Sequence, residues 1–379
     1  MDFRLSEEQE LIKAKARDFA RTKVAPIAAE IDRESRFPSE LVADLGALHF
    51  LGLPFPTAVG GAGAGYLSYV LVLEEIAKAC ASTAVIVSTH TSLGTWPIYT
   101  FGTEAQRSRY VPRLTSGEWL AAFSLTEPSA GTDAGSMRTT ARLEGDEWVL
   151  NGAKIFVTNG DRAQVFVVFA LTEPGKGTRG ISAFIVEAGT PGFTLGENER
   201  KMGIKASSAT PLCFDDCRIP RDALLGEQGK GFKIALATLD GGRVAIAAQA
   251  VGIAQGALDA SVSYAKDRVQ FGKPIAEQEA IQWMVADSAT ELDAARLLLH
   301  HAAWLEDEGL AFSTEAAMAK LFAAETATRV AGRAVQVHGG HGFTERYPVE
   351  RAYRDAKITE IYEGTSEAQR MVVARHLLH

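Results

Sequence analysis

Residues 355–367 have the sequence DAKITEIYEGTSE, and the rest of the chain is organised around this stretch. Its central carboxylate, Glu363, follows the bulky side chains of Ile361 and Tyr362 and precedes Gly364. A glycine at this place permits a tight bend and lets a flat ligand approach the backbone closely. Apolar surroundings disfavour a charged carboxylate and raise its pKa, so the sequence predicts that Glu363 is a competent base near neutral pH.

The same stretch predicts the start of the last helix. Ser366 with Gln369 is typical of a capping box, which would place Glu363 on a bend just before a C-terminal helix. Acidic residues are also favoured near helix starts for electrostatic reasons alone. A purely local role for Glu363 is therefore the alternative to a catalytic one, and the rest of the chain decides between them.

The composition argues against several classes of protein. The chain has 379 residues, 46% of them hydrophobic, which suffices for two or three domains with a large core. Its 39 basic and 47 acidic residues give a net charge of -8, which disfavours nucleic acid or an anionic membrane as the main partner. The sequence contains no run of about 18 apolar residues, so no transmembrane helix is expected. The first residues, Met1 to Arg4, carry no targeting pattern, so a cytoplasmic location is expected.

The cysteine and histidine residues indicate neither a disulfide framework nor a metal site. The three cysteines are too few, and Cys213 and Cys217 fall in one predicted strand, too far apart for a bridge. We expect both to be packing residues. His338 and His341 lack thiolate or carboxylate neighbours at ligand spacing, so no metal is expected there.

Three regions with different periodicity divide the chain. Residues 1–120 are predicted to form an N-terminal α-helical domain, 121–230 a β-domain and 231–379 a C-terminal helical bundle. Ser6 with Gln9 forms a capping box before the first helix. Further helices of the first region are predicted at residues 39–48, 66–79 and 84–101.

The middle region has runs of β-branched and aromatic residues separated by Gly, Pro and Thr. Asn151-Gly152, between residues 147–150 and 154–158, is a strong hairpin signal. Since no helices alternate with the strands, we expect a compact β-domain rather than a parallel α/β sheet. Further strands are predicted at residues 164–171, 180–187 and 211–219.

The last region has long helices, each with one apolar stripe. Residues spaced by three and four from Ile281 to Leu299 form one stripe, and residues 316–337 give a second long helix. Such helices predict a four-helix bundle. Their extended apolar faces also suit self-association.

Tyr362-Glu363-Gly364-Thr365, together with residues 354–361 before it, closely resembles the C-terminal signature of the acyl-CoA dehydrogenases, a family of FAD-dependent flavoproteins. The resemblance covers nearly the whole chain, because several separated motifs occur in the family's order and spacing. It implies a mainly α fold with a β middle domain: an N-terminal α-helical domain, a central β-barrel-like domain and a C-terminal four-helix bundle. It also implies that Glu363 removes the α-proton of an acyl-CoA thioester.

Two segments of the β-domain resemble the family's flavin contacts. Residues 123–133 are dense in hydroxyls, glycine and backbone donors, which suit a flavin edge or a phosphate, although by composition alone they make a generic turn. Residues 154–159 resemble the strand whose aromatic residue shields the flavin ring. The family more often has serine in place of Thr132 and tryptophan in place of Phe156, so looser shielding is expected here. The implied cofactor contacts are Phe123, Leu125, Thr126, Gly131, Thr132, Phe156, Val157 and Thr158.

Two segments of the C-terminal region also match flavin contacts. Residues 268–272, RVQFG, match the segment whose arginine reaches the FAD pyrophosphate, often across a subunit boundary, and guanidinium pairs well with phosphate. Residues 336–340, QVHGG, match the segment that cradles the other end of the cofactor, although paired glycines alone predict only a helix stop. Glu279 stands where the family frequently has a glutamine that contacts FAD. The FAD phosphates would repel its negative charge, so Glu279 is not included among the implied contacts. The implied contacts are Arg268, Phe271, Gln336, Val337, Gly339, Gly340, Thr365 and Glu367.

Residues 240–243, DGGR, resemble the helix whose arginine lies close to the base. Isovaleryl-type and long-chain relatives carry their base on this helix next to that arginine, whereas Gly242 occupies the position here, so only Glu363 can serve. The C-terminal pattern is most similar to short-chain, butyryl-type members, and Trp96 lies where the family shapes the acyl pocket. The implied substrate contacts are Thr132, Asp240, Arg243, Tyr362 and Gly364.

The resemblance implies FAD-dependent α,β-dehydrogenation of a short-chain acyl-CoA to a trans-2-enoyl-CoA. It also implies transfer of the electrons to electron-transfer flavoprotein and assembly as a homotetramer. An oxygen-using acyl-CoA oxidase of the same fold is one alternative, because the sequence does not decide oxygen reactivity. A non-catalytic, flavin-binding assembly partner is another, and it is disfavoured because base, flavin and substrate motifs are all present.

Overall fold

The computed structural model describes residues 4–378, with helices at both ends of the chain and strands between them. Residues 1–3, in the stretch where we find no targeting pattern, lie outside the described residues. Helices run to residue 115, the sheet occupies residues 121 to 225, and helices resume at residue 231. The predicted fold class, mainly α with a β middle part, is confirmed, while the exact domain limits stay a prediction.

Seven α-helices form the N-terminal part of the described chain. The predicted capping box at Ser6 is confirmed, since Ser6 Oγ accepts from Gln9 N at 3.2 Å and Gln9 Oε1 accepts from Ser6 N at 2.9 Å. Thr103 and Gln106 repeat the arrangement before the seventh helix. The helices are α1 (Glu7–Phe19), α2 (Ala28–Glu34), α3 (Ser39–Ala47), α4 (Gly65–Ala79), α5 (Ala81–Ser88), α6 (Trp96–Phe101) and α7 (Glu104–Thr115).

The helix predicted at residues 84–101 is one helical run with two kinds of turn. α5 leads into a π-helical segment, Thr89–Thr95, which continues into α6. Every residue from 81 to 95 is buried, although many of them are polar. Wide π-turns are often found at functional sites. The sequence pattern therefore located this run correctly but did not show its change of winding.

Eight strands form one sheet, in the order β6-β7-β3-β2-β4-β5-β8, with β1 pairing with β4. The neighbours are mostly antiparallel, and the exceptions are β1 with β4 and a single parallel pair between β2 and β4. This agrees with the expected β-domain. The strands are β1 (Ala121–Ser124), β2 (Thr140–Glu144), β3 (Glu147–Thr158), β4 (Val165–Leu171), β5 (Ile181–Glu187), β6 (Phe193–Leu195), β7 (Ala209–Pro220) and β8 (Leu224–Leu225).

The hairpin predicted at Asn151-Gly152 is wrong. Both residues lie inside β3, and the chain turns earlier, at Gly145 between β2 and β3. The pairing of β3 with β7 shifts register at this point, and Asn151 exchanges two side-chain hydrogen bonds with Asp216 of β7. Gly152 is needed for close packing, because a Cβ there would lie 2.5 Å from Thr139 Oγ1. The Asn-Gly pair therefore forms a β-bulge rather than a turn.

The expectation that both strand cysteines are packing residues is wrong for one of them. Cys217 is buried, whereas Cys213 is exposed, and both are free thiols. Residues four apart share a face of a regular strand, but Asp216 between them has a φ of +47°. This irregularity shifts the alternation of faces within β7 and exposes Cys213.

The C-terminal part consists of long helices and a short hairpin. α8 is the longest, with 37 residues, and packs against α4, α9 and α10. The predicted stripe on the next long helix faces the core, where Leu292, Ala295 and Leu299 are buried. The elements are α8 (Gly231–Asp267), β9 (Val269–Gln270), β10 (Lys273–Pro274), α9 (Glu279–Asp307), α10 (Ser313–His338), α11 (Val349–Thr359) and α12 (Ser366–Leu378).

α8 is the central helix of one core shared by the N-terminal and C-terminal helices. Gly252 lets α4 approach closely, because a Cβ there would lie 2.5 Å from the carbonyl oxygen of Glu74. One stretch of α8 is long and apolar enough, by length and composition, to cross a membrane, although we predicted no such helix. Of its most apolar window, 72% is buried inside the protein, as in a core helix.

Candidate active site

Glu363 lies on the turn between α11 and α12. Its φ is +51° and that of Gly364 is +94°, so the chain takes two left-handed residues in succession. Left-handed backbone is uncommon for residues other than glycine and is often found at functional sites. The bend predicted from the sequence is therefore present at Glu363.

The cap of α12 is one residue earlier than predicted. Thr365 Oγ1 accepts a hydrogen bond from Ala368 N at 3.2 Å, whereas Ser366 is the first helical residue and its Oγ is buried without a partner among residues 4–378. The Gln369 side chain does not reach back to a cap N–H. It donates instead to the carbonyl oxygens of Glu363 at 3.2 Å and Gly364 at 2.9 Å.

A buried lysine of α10 holds the same turn. Lys320 is fully buried, and its Nζ donates to the Gly364 carbonyl oxygen at 2.7 Å. Sequence reasoning missed this residue, because it lies 44 positions before its partner. A lysine within a helical stripe of alanines was the available signal.

The carboxylate of Glu363 has no hydrogen-bond or ion-pair partner among the described residues. Its Oε2 is buried and accepts no hydrogen bond from residues 4–378. Burial raises the pKa of Glu363 to about 8, although the positive charges of Lys320 and Arg243 oppose the rise. The sequence predicted a raised pKa for Glu363, and this buried environment agrees with that direction.

Gly242 of α8 faces the carboxylate directly. A Cβ on Gly242 would lie 2.1 Å from Oε2 of Glu363 and 2.7 Å from Cδ2 of Leu93 in the π-helical segment. Only hydrogen fits between α8 and the carboxylate at this position. α8, the turn before α12 and the π-helical segment therefore meet around Glu363.

Arg243, next along α8, is buried and paired. Its Nη1 lies 2.5 Å from Oδ1 of Asp240, whose other carboxylate oxygen accepts from Ser313 Oγ. Burial lowers the pKa of Arg243, against the attraction of Asp240 and Glu363. The structure thus brings Asp240 and Arg243 into the same site as Glu363.

Tyr362 fixes the chain just before the base. Its hydroxyl hydrogen bonds to the side chain of Gln249 on α8, and Gln249 Nε2 donates to the Ala81 carbonyl oxygen at 2.8 Å. The tyrosine ring packs against the helical core. Tyr362 therefore connects the turn to α8 and α5, and Gln249 is a second residue that sequence reasoning missed.

A buried ion pair joins the two predicted flavin segments of the sheet. Lys154 Nζ lies 2.7 Å from Glu127 Oε1 and donates to the Leu125 carbonyl oxygen at 3.2 Å. Glu127 Oε1 also accepts from Thr139 N at 3.0 Å. Both residues lie inside quoted motifs, but the sequence did not indicate that they pair.

Phe156 extends from the sheet beside this ion pair. Its φ is +58°, at a second register shift between β3 and β7, and the residue is 59% exposed. An exposed aromatic ring on a bulge is available to a flat ligand. Of the predicted cofactor contacts in this part, Leu125 and Val157 are buried; Phe123, Thr126 and Thr158 are half-buried; Gly131 and Thr132 are exposed.

The second pair of predicted flavin segments lies at the far end of α8. Arg268 is exposed, and its guanidinium makes no ion pair with any residue that the structure describes. Phe271, in the β9–β10 hairpin, is 95% exposed with a φ of +55°. Val337 is buried, while Gln336, Gly339 and Gly340 are exposed, as is Glu367 in α12.

One chain does not bring Arg268 to Glu363. Gly242, beside Glu363, and Arg268 are 26 residues apart along α8, about 39 Å at 1.5 Å per residue. This distance is several times the reach of an arginine side chain. The predicted cofactor contacts therefore form two separate groups within the chain.

His338 and His341 belong to an aromatic cluster with Tyr264 and Tyr347. Tyr264 stacks on His338 at 4.2 Å, and its hydroxyl lies 2.9 Å from His341 Nδ1. Among residues 4–378 no group of three His, Cys, Asp or Glu side chains is placed to hold a metal ion. His338 and His341 flank the exposed Gly339-Gly340 segment in the chain.

The exposed groups fit a flavin dinucleotide. A flat aromatic system with a pyrophosphate needs aromatic faces, hydroxyls, open backbone and a guanidinium. The chain offers Phe156 and Phe271 as exposed rings and Arg268 as an exposed cation. At Gly131, Gly339 and Gly340 an added Cβ would meet nothing within 4 Å, so their backbone is open to a ligand.

Comparisons with known proteins identify the family of the chain. Three family models match the chain: the acyl-CoA dehydrogenase N-terminal domain at residues 6–118, middle domain at 122–217 and C-terminal domain at 229–378. The acryloyl-CoA reductase (NADH) of Anaerotignum propionicum is 52% identical over 380 residues, covering 100% of this chain and 96% of that protein.

Solved structures are similar over the full length. The butyryl-CoA dehydrogenase of Megasphaera elsdenii has a TM-score of 0.99 and 48% identity, covering 100% of both chains. A chain solved in a study of the electron-transferring flavoprotein of Acidaminococcus fermentans and flavin-based electron bifurcation has a TM-score of 0.99 and 50% identity, covering 100% of both chains.

A helix–sheet–helix fold defines a flavin-dependent oxidoreductase when it combines two features: a glutamate on a left-handed turn whose Oε2 is buried without a partner in residues 4–378, and open surfaces for a dinucleotide. The chain belongs to the acyl-CoA dehydrogenase family, whose members use FAD. The resemblance inferred from its motifs is confirmed.

Proposed function

We propose that this acyl-CoA dehydrogenase oxidises a short-chain acyl-CoA, such as butyryl-CoA, to the trans-2-enoyl-CoA. The observation that carries the proposal is the state of Glu363, whose Oε2 is buried without a partner in the described chain and whose pKa is raised to about 8. The 48% identity to the butyryl-CoA dehydrogenase supports the chain length.

In the proposed reaction, Glu363 takes the proton that leaves Cα of the acyl group and becomes a carboxylic acid. FAD, when bound, supplies the acceptor for the hydride that leaves Cβ. The two C–H electron pairs are accounted for, because one forms the new double bond and the other leaves with the hydride. A base with a pKa near the working pH suits this proton transfer.

The backbone of Glu363 has a second role in this proposal. Its N–H has no acceptor within residues 4–378, so it is free to donate to the thioester oxygen of the substrate. Negative charge develops on that oxygen when Cα loses its proton, and a positioned N–H stabilises it. Arg243, held by Asp240, keeps a positive charge near the base. Thr132, Tyr362 and Gly364 are the other proposed substrate contacts.

The residues proposed to hold FAD fall into the two groups described above. Thr126, Thr132 and Thr158 offer hydroxyls, and the exposed ring of Phe156 would cover a flat face. Arg268 would pair with the pyrophosphate, and Gly339-Gly340 would cradle the other end. The remaining proposed contacts are Phe123, Leu125, Gly131, Val157, Phe271, Gln336, Val337, Thr365 and Glu367.

The separation of these groups along α8 supports a shared site. A cofactor beside Glu363 would receive Arg268 and Phe271 from another subunit. The 95% exposure of the Phe271 ring is consistent with burial on assembly. We therefore propose a homo-oligomer, a homotetramer as expected from the family, with the Arg268 hairpin of one subunit completing the site of another.

Electron-transfer flavoprotein is the proposed electron acceptor. The supporting observation is the full-length similarity to a chain solved in a study of that flavoprotein. We keep a cytoplasmic location as a proposal. The oxidase and the non-catalytic partner are less well supported, since the base, the open flavin contacts and the similarity to a dehydrogenase occur together.

Replacement of Glu363 by glutamine tests the proposed base. Glu363→Gln keeps the size of the side chain and removes its basicity, so flavin and acyl-CoA should still bind. Anaerobic reduction of the flavin by butyryl-CoA should fall by roughly 100-fold to 10,000-fold or more. The measurement is stopped-flow bleaching of the bound flavin.

Glu8→Gln is the matched control, because this exposed glutamate of α1 is not among the proposed substrate or flavin contacts. It should leave the bleaching rate within about twofold of the unmodified protein. A yellow Glu363→Gln protein that bleached as fast as the control would exclude Glu363 as the base.

Reduction of an enoyl-CoA by the same site is a second candidate. The 52% identity to the acryloyl-CoA reductase favours it, and a Glu363 with a pKa of about 8 is mostly protonated at neutral pH, as an acid needs to be. Enzyme whose flavin has been reduced by light should be reoxidised by acryloyl-CoA. If acryloyl-CoA reoxidises it slowly while butyryl-CoA reduces the oxidised enzyme quickly, the reductive candidate is excluded.

A further inference from the structure

Lys320 is a buried lysine without a carboxylate in contact with it, and burial lowers its pKa to about 8 against the attraction of Glu363. Its side chain is fully buried, and its hydrogen bond within the described chain is to a neutral group, the Gly364 carbonyl oxygen, at 2.7 Å. Lys154, also fully buried, contrasts with it, because its Nζ lies 2.7 Å from a carboxylate oxygen of Glu127. A buried charge without such a partner costs much free energy and is usually retained for a reason.

The charges around Lys320 leave one carboxylate to balance it. The groups that act on it are Glu363, Arg243, Glu360 and Glu367, and Arg243 is itself a cation. Glu360 is paired with Lys357, and Glu367 is exposed at the surface. Glu363 is the remaining carboxylate, and its Oε2 is likewise buried without a hydrogen-bond partner in residues 4–378.

The neutral groups near Glu363 do not change this balance. Tyr66 and Tyr69 of α4 and Tyr362 face it, and burial keeps the pKa of each phenol above its ordinary value. They are therefore uncharged throughout the working range of pH. Asp240 is already paired with Arg243.

Lys320 also fixes the geometry of the turn. The Gly364 carbonyl oxygen accepts from Lys320 Nζ at 2.7 Å and from Gln369 Nε2 at 2.9 Å. A residue other than glycine in left-handed backbone, as Glu363 is, is strained unless the surrounding structure holds it. The lysine thus contacts the turn and places a charge near the carboxylate that the turn carries.

We propose that Lys320 is a positioning residue of the reaction, which holds the Glu363-Gly364 turn and keeps Glu363 available as a carboxylate through its positive charge. The inference rests on the proposed function of Glu363 as the base. Loss of the charge would make ionisation of Glu363 harder, so the base would form only at higher pH.

Three variants separate the charge of Lys320 from its hydrogen bond. Lys320→Met removes both, Lys320→Gln keeps a donor without the charge, and Lys320→Arg keeps the charge. The rate of flavin reduction by butyryl-CoA is measured against pH for each flavin-loaded protein. We expect the pH of half-maximal rate to rise by about one unit in the Met and Gln variants and to stay in place in the Arg variant.

A shift of that size lowers the rate at neutral pH by about tenfold. The Gln variant should keep a higher maximal rate at high pH than the Met variant, because it retains a donor for the turn. Lys357→Met is the control, since it removes an exposed lysine paired with Glu360 on the adjacent helix, and its profile should not move. Thermal unfolding of each variant shows whether a change is only structural.

An unchanged pH profile in a folded, yellow Lys320→Met protein would overturn the proposal. The proposal is also overturned if neither the Met nor the Gln variant folds, because the lysine then serves stability alone. If Glu363→Gln abolishes flavin reduction while the Lys320 profiles stay in place, only this inference fails. If Glu363→Gln remains active, the proposed function itself fails.

Discussion

Gly242 and Glu363 are in direct contact across two elements: a Cβ on Gly242 would lie 2.1 Å from Oε2 of Glu363. Gly242 lies in the middle of α8, where glycine costs helix stability relative to alanine. Glycine at this position is thus unfavourable for the helix, but it leaves the room that the Glu363 carboxylate needs.

Gly242→Ala should displace the carboxylate and slow flavin reduction by roughly 100-fold, since a displacement of about 1 Å has an effect of that size. Flavin content should be unchanged, because the predicted flavin contacts lie elsewhere. The measurement is anaerobic bleaching by butyryl-CoA. Gly332→Ala in α10 is the control, where the new Cβ would lie 3.7 Å from the ring of Tyr353 and activity should be retained.

Arg268→Ala should lower the affinity for FAD. A hydrogen bond to a charged group contributes about 1.5–3 kcal/mol, so the dissociation constant for FAD should rise about 10-fold to 100-fold. The measurements are flavin content after dialysis and sedimentation velocity, because the contact is proposed to cross subunits. Lys273→Ala, an exposed lysine on the facing strand of the same hairpin, should retain both flavin and assembly.

Trp96→Ala should shift the preference toward longer acyl chains. Trp96 begins α6, is half-buried, and packs edge-on against Phe101 at 5.7 Å. It lies one turn beyond Leu93, whose Cδ2 is at the Glu363 site. The measurement is kcat/KM over a series from butyryl-CoA to palmitoyl-CoA. A uniform loss across the series would instead assign Trp96 to core packing.

His90 should make the protein less stable in mild acid. Its Nδ1 accepts from Ala121 N at 3.1 Å and its Nε2 donates to the Leu114 carbonyl oxygen at 3.0 Å, so the buried ring is neutral. Burial lowers its pKa from 6.5 to about 4. The unfolded chain therefore binds a proton that the folded chain does not, and stability falls as the pH drops from about 6.5 to 4, by up to roughly 3 kcal/mol.

His90→Gln should lower the melting temperature at pH above 7, because a buried bridge is lost. The difference from the unmodified protein should narrow as the pH falls toward 4.5, because glutamine does not titrate. His301→Gln, at an exposed position of α9, should give a parallel curve. A constant gap between His90→Gln and the unmodified protein at all pH values would contradict this assignment.

The sequence predicts best where the signal is periodic. The long helices and the β region were located correctly, because burial of one face imposes a spacing that is visible in the chain. Asn151-Gly152 failed because a turn signal is local, whereas the partner that decided the outcome, Asp216, lies 65 residues further on. The N-cap of α12 is Thr365 rather than the predicted Ser366, because the Gln369 side chain donates to carbonyl oxygens of the turn instead of to a cap N–H.

The candidate site was predictable only in part for a similar reason. Glu363, Gly242 and Arg243 lie in recognisable motifs, so their identity was available from the sequence. Lys320 and Gln249 were not, since each acts on the turn through tertiary contacts, Lys320 with Gly364 and Gln249 with Tyr362. Tertiary packing brings these residues to their partners, and no periodic spacing in the sequence predicts those contacts.

The length of α8 also bears on how defects combine. In the proposed assembly, Glu363 of one subunit and Arg268 of another serve the same cofactor, because α8 keeps Arg268 of a single chain about 39 Å from Gly242, which lies beside Glu363. A subunit lacking Glu363 and a subunit lacking Arg268 can therefore complement each other. When two such subunits pair, one of their two shared sites carries both substitutions and the other carries neither. A cell carrying these two different damaged copies of the gene would retain activity that two copies with the same defect cannot give.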